Sequence, residues 1–225
     1  MPDNVSKPLF EMTSEELIAY FGSSPFSWAC HGVGLLRSAY VVWGTYWGRL
    51  KRSCQEATAS QRVSPAEELD MSTDRFIHAY KLLAALAMEN LAKGLVIAQD
   101  KLVISGNKLP REFLTHDIVS ILVQNAGFQL NKHERMALAD STKAIIWQAR
   151  YPMPKGSAHL AGQCPGMGFA QWFYHPVSFR KLGTRMLQGF PEDGFQGGSV
   201  SASDLIRILT DECPPVETLK RPDDG

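Results

Sequence analysis

The chain has 225 residues, 44% of them hydrophobic, enough for one domain with a sizeable core or two small ones. Its 23 Lys and Arg balance 23 Asp and Glu, which argues against the broad basic surface of a non-specific nucleic-acid binder but leaves room for a local patch. Four scattered cysteines (Cys30, Cys54, Cys164 and Cys213) form no CxxC pair, so neither a disulfide framework nor a zinc site is expected, and a reducing cytoplasm fits best. The N-terminus carries no basic-then-apolar leader, and the most apolar run, 38–48, is too short to span a bilayer; a soluble, cytoplasmic protein without membrane contact is expected.

In chain order, Thr13 and Glu16 have the spacing of a capping box and predict a short helix over 14–21 that stops at Gly22. Ser24-Pro25 reads as an N-cap followed by a first-turn proline, opening a long helix over 26–55. Trp28, Leu35, Tyr40, Trp43 and Trp47 on it are bulky enough to demand burial. Gly44 and Gly48, four apart, suggest a place where another helix approaches closely. Residues 56–63 read as a polar linker, and Ser64-Pro65-Ala66-Glu67 as a short helix or turn.

The stretch 73–100 is rich in Ala and Leu and apolar almost all the way round, which predicts a helix buried on most sides. One polar line crosses it: His78, Lys81, Glu89 and Lys93 stack along one face. Glu89 precedes Lys93 by four residues, the favourable order for a helical ion pair. Charges on so apolar a helix need partners, because an unpaired buried charge is costly.

Thr115-His116-Asp117 opens the next helix, with Thr115 as cap and Asp117 in the first turn. Gly127 stops it, and Phe128 folds back as the apolar clasp of that stop. Asn131 with Glu134 is another capping box, opening a helix that runs to Arg150 and buries Met136, Leu138, Ile145, Ile146 and Trp147. Tyr151-Pro152-Met153-Pro154 ends it. Residues 153–174 read as a long ordered loop, 176–188 as a helix, 190–199 as a glycine-rich loop, and Ser203-Asp204 as the start of a last helix through Asp211. The tail from 213 has the composition of a disordered segment. No strand pattern and no internal repeat occur, so the fold class is all-α. The sequence predicts four regions: an N-terminal segment over 1–24, a helical core over 25–154, an extension over 155–212 packed on it, and the tail.

Three short patterns carry a resemblance. Glu89 and Lys93 lie four apart in an Ala/Leu-rich helix, Thr115-His116-Asp117 stands at a helix start, and Arg150-Tyr151-Pro152 closes the last core helix. In this order they resemble the HEPN superfamily of small helical nucleotide-binding domains, over roughly residues 26–154. The resemblance implies an up-and-down helical bundle, a homodimer, and a nucleotide or RNA ligand in a defence, stress or toxin–antitoxin setting. Lys81, Glu89, Lys93, His116, Asp117, Arg150 and Tyr151 would then hold the ligand, and a nucleotidyltransferase or antitoxin would be the partner. Some HEPN families are metal-independent ribonucleases built on an arginine and a histidine at the spacing of Arg111 and His116, which makes that pair the catalytic candidate. Against it, residues five apart on a straight helix point about 140° from each other. Glu112 beside Arg111 would also repel a phosphate.

The residues themselves leave two readings of Glu89, Lys93, His116 and Arg150 open. One is a polar pocket for a nucleotide or RNA phosphate; the other is a salt-bridged network that fixes helix register, as in a purely structural dimerisation module. Non-catalytic binding is favoured over cleavage. His159, Cys164 and His175 match no common metal spacing, Gly166-Met167-Gly168 lacks the flanks of a dinucleotide loop, and 194–198 lacks the lysine of a phosphate loop, so no cofactor is expected.

Overall fold

The computed structural model describes residues 11–59, 71–99, 113–148, 176–190 and 200–211, with Pro8 and Pro110. The predicted turn at 64–67, the loop at 153–174, the glycine-rich segment 191–199 and the tail lie outside the described residues, as do Arg111, Arg150 and Tyr151. Within them the chain is all-α, and no strand occurs among the described residues. The helices are α1 (Ser14–Ser23), α2 (Pro25–Ala59), α3 (Met71–Ala98), α4 (Ile118–Ser120), α5 (Lys132–Lys143), α6 (Pro176–Leu187) and α7 (Ala202–Asp211). Two π-helical turns, Ile121–Asn125 and Ala144–Gln148, continue α4 and α5.

Helix ends follow local chemistry. Thr13 and Glu16 bond each other's backbone N–H groups, as do Asn131 and Glu134. Gly127 adopts φ 67°, and Phe128 N reaches back 2.8 Å to Leu122 O, the bond of a glycine stop. Three boundaries differ from expectation. Gly22 does not end α1; it is buried inside it and accepts from Trp28 Nε1 at 2.8 Å. The residues read as a linker from 56 continue α2 through Ala59. The cap of α4 is Asp117, whose side chain accepts from Ser120 N, because Thr115 Oγ1 is used by Asp117 N.

α3 packs against α2, α4, α5, α6 and both π turns. Tyr80, Ala84, Ala85, Ala87, Met88, Leu91, Ala92 and Leu95 are completely buried on it, all round its circumference. Each such leucine contributes roughly 1.5–3 kcal/mol of burial. Close approach of α2 does occur, but not at Gly44 and Gly48. A Cβ on either of those would meet nothing within 4 Å, and both are exposed. The approach is at Gly32, where a Cβ would come within 2.8 Å of Leu91 Cγ, and at Gly94, where it would meet Trp28 Cβ at 2.9 Å. The aromatic residues of α2 turn inward: Tyr40 and Tyr46 are buried, while Trp28, Trp43 and Trp47 are half-buried. Trp43 packs 5.0 Å from the Tyr80 ring.

α5 buries Ala137, Leu138 and Ser141, and its π-helical continuation buries Ala144 and Ile145. Met136 and Ile146, expected inside, are exposed because this set defines the other side of the helix. The C-terminal helices are tied to this core. Tyr40 Oη donates to Pro176 O at 3.2 Å, and Arg185 pairs with Glu134 and donates to Gln129 O. Phe179, Leu182, Met186, Leu205 and Leu209 are buried in the same apolar cluster as α3. α7 starts one residue early, at Ala202, with Ser201 rather than Ser203 bonding Asp204.

Candidate functional site

The polar line of α3 divides along its length. His78 is exposed and Lys81 half-buried, whereas Glu89 and Lys93 are only 5% and 6% exposed. Their register on one side of an apolar helix makes them face each other, and Lys93 Nζ lies 2.5 Å from Glu89 Oε1. Lys93 Nζ also stands 5.8 Å from the centre of the Trp28 ring. The indole is itself fixed by its bond to Gly22 O and an edge-to-face contact with Phe113 at 5.7 Å.

His116 completes the cluster. Its Nδ1 lies 3.1 Å from Glu89 Oε2 and 3.2 Å from Oε1. A carboxylate only accepts, so Nδ1 carries the proton and donates. The imidazole side chain is 43% exposed, while the Glu89 side chain is 7% exposed. The arrangement therefore runs from a buried ammonium through a buried carboxylate to an imidazole at the surface. When the ring is neutral, Nε2 is left with a free lone pair; when it is protonated, both nitrogens donate.

The segment holding His116 is clamped by a residue that the sequence did not flag. Thr142 on α5 places Oγ1 3.0 Å from His116 O and 3.1 Å from Leu138 O, and accepts from Ile118 N at 3.3 Å. That last bond satisfies a helix-start N–H that has no intrahelical partner. A threonine in mid-helix gives no sequence signal for such a role. Trp28, beside the cluster, was legible only as a bulky residue that demands burial, and Phe113, which packs on it, carried no signal of the site.

Of the predicted site residues, Glu89, Lys93 and His116 come together. Asp117 is exposed and bonds Ser120 N as the cap of α4, and makes no bond to Glu89. Lys81 makes other contacts two turns along α3 from Glu89. Arg111, Arg150 and Tyr151 lie outside the described residues, as do His159, Cys164 and His175. Among the described residues no group of three or more His, Cys, Asp and Glu is placed to hold a metal ion, and no helix is long and apolar enough to cross a membrane. No protein-family model matches the chain, and no curated protein or solved structure gives a significant match.

Proposed function

We propose that the chain is a cytoplasmic HEPN-like helical domain that binds a nucleotide or RNA without cleaving it, with His116 as the contact group. One observation supports this reading above the others: the buried Glu89–Lys93 pair opens to solvent through His116, whose side chain is half-buried and whose Nδ1 alone is engaged by Glu89. A cluster serving only helix register has no need of a half-exposed imidazole. Protonated, that ring offers a charge-assisted donor to a phosphate; neutral, it accepts from a ribose hydroxyl. The decisive experiment is a titration of fluorescent single-stranded RNA and of nucleotides into wild-type protein and His116→Ala. The variant keeps the Glu89–Lys93 pair, so it loses about 1 kcal/mol of stability, one hydrogen bond. Binding by the wild type and a loss of at least tenfold in the variant supports the reading; equal binding refutes it.

Cleavage is the second reading, and the same contact favours it. A carboxylate-held imidazole with an open nitrogen is what a general base needs. Under this reading Arg111 would stabilise the phosphate charge. Metal-free RNA cleavage that is lost in both His116→Ala and Arg111→Ala would establish it.

Pairing of two chains belongs to the proposal as well. The outer face of α2 exposes Gly34, Val41, Gly44 and Gly48 beside Arg37, Ser38 and Thr45, and we infer that a second copy lies along it. A light-scattering mass of one chain at every concentration would contradict this. A nucleotidyltransferase or antitoxin partner, and with it a toxin–antitoxin setting, follows from the resemblance alone.

A further inference from the structure

The two sides of the α4 start serve different neighbours. His116 turns to α3, whereas Asp117 borders an open groove of about 500 Å³ between α4, its π-helical continuation and α5. Val119, Val123 and Met136 give the groove an apolar surface, and Asp117, Gln124 and Arg135 stand on it. Each of these three keeps an unused group. Asp117 Oδ1 accepts from Ser120 N at 3.1 Å, which leaves Oδ2 and a second lone pair on Oδ1, so both oxygens can still accept. Gln124 Oε1 accepts from Ser120 Oγ at 2.9 Å, which leaves both amide protons. Arg135 Nε donates to Leu130 O at 3.3 Å, which leaves the two terminal nitrogens. Asp117 and Arg135 carry opposite charges on one groove without pairing with each other.

A second observation concerns the wall. Val123 and Gln124 belong to the π-helical turn Ile121–Asn125. Such turns are rare and are found frequently at functional sites.

This set of groups matches one nucleobase. An apolar surface takes a flat ring. A carboxylate accepts two parallel N–H groups, and among the common bases only guanine presents two neighbouring donors, N1–H and N2–H, on its Watson–Crick edge. Its O6 beside them requires a donor, which the Gln124 amide supplies. Arg135 is suited to a phosphate, which its fork binds with two bonds.

We propose that this groove is a guanine subsite, in which Asp117 accepts from N1–H and N2–H, Gln124 donates to O6 and Arg135 holds the phosphate of that nucleotide, while His116 meets a neighbouring phosphate of the same strand. The proposal rests on the nucleotide-binding reading above and adds a base preference to it. It is tested by NMR titration of the full chain with GMP, IMP and AMP. GMP is expected to bind roughly tenfold or more tighter than AMP, the scale of one good bidentate base contact. IMP, which lacks the 2-amino group, falls between them. Asp117→Asn retains a helix cap, so its melting temperature stays close to wild type while the GMP-to-AMP preference disappears. Equal affinity for the three nucleotides, or a guanine preference that survives in Asp117→Asn, overturns the subsite and leaves phosphate binding at His116 standing. Absence of binding by all three overturns both.

Discussion

His116 Nδ1 lies 3.1 Å from Oε2 of Glu89, a residue 27 positions earlier, and this contact joins a buried ion pair to the surface. The carboxylate serves two donors at once, Lys93 and His116. Removing either member of the Glu89–Lys93 pair leaves a charge stranded between α3 and its neighbours.

Glu89→Met is therefore expected to destabilise the protein by about 3–5 kcal/mol, as is Lys93→Met, the usual cost of breaking a buried pair. The double variant should recover most of that loss, since well-packed apolar residues replace such pairs at little cost. Urea denaturation of the three variants checks this. A double variant that loses the sum of the two single losses would show that the pair is not coupled.

The glycines of α2 divide into two kinds, and substitution separates them. Gly44→Ala and Gly48→Ala place a methyl group in open space. Each should raise stability by about 0.5–1 kcal/mol through helix propensity alone. Gly32→Ala drives a Cβ toward Leu91 and the Ala87 carbonyl, and should cost about 1–3 kcal/mol. Thermal melts read the sign directly. The gain at Gly44 and Gly48 applies to the single chain; in the proposed dimer the same methyl groups face the second copy, and the change becomes a loss that grows with protein concentration.

The start of α7 carries an acid-sensitive contact. The backbone N–H of Ser201 beside Asp204, with the Ser201 hydroxyl, holds that carboxyl below the usual aspartate range. The folded-state pKa is depressed, so this stabilisation is complete above the unfolded-state value. It is lost as pH falls through the folded-state value. Amide exchange in α7 should accelerate in that acid window before exchange in α3 does, and Asp204→Ala should remove the pH dependence. Unchanged acid behaviour in the variant would assign it to another group.

What was legible in the sequence was what local spacing encodes. Thr13 with Glu16 and Asn131 with Glu134 form capping boxes because both partners lie within one helical turn. The burial of α3 follows from its composition, and the Glu89–Lys93 pair from a spacing of four. Long-range geometry was not legible. Gly44 and Gly48 have the same spacing as small residues at a helix contact, yet the contact forms at Gly32 and Gly94, because Leu91 and Trp28 are what α2 and α3 bring together there. Met136 looks like core until Ala137, Leu138 and Ser141 are seen to face inward. The π turns follow ordinary helical sequence, and Thr142 becomes informative only when the His116 carbonyl lies 3.0 Å away.

The central claim is that His116 meets the ligand. The most direct measurement follows the imidazole carbon–proton signals of His116, assigned with the His116→Ala variant, during titration with a phosphate-bearing nucleotide and a short single-stranded RNA. The account predicts that the His116 signals shift in a saturable way while those of exposed His31 and His133 stay in place, and that Glu89→Gln weakens the response. A His116 signal that does not move at concentrations where other residues of the protein respond would contradict it.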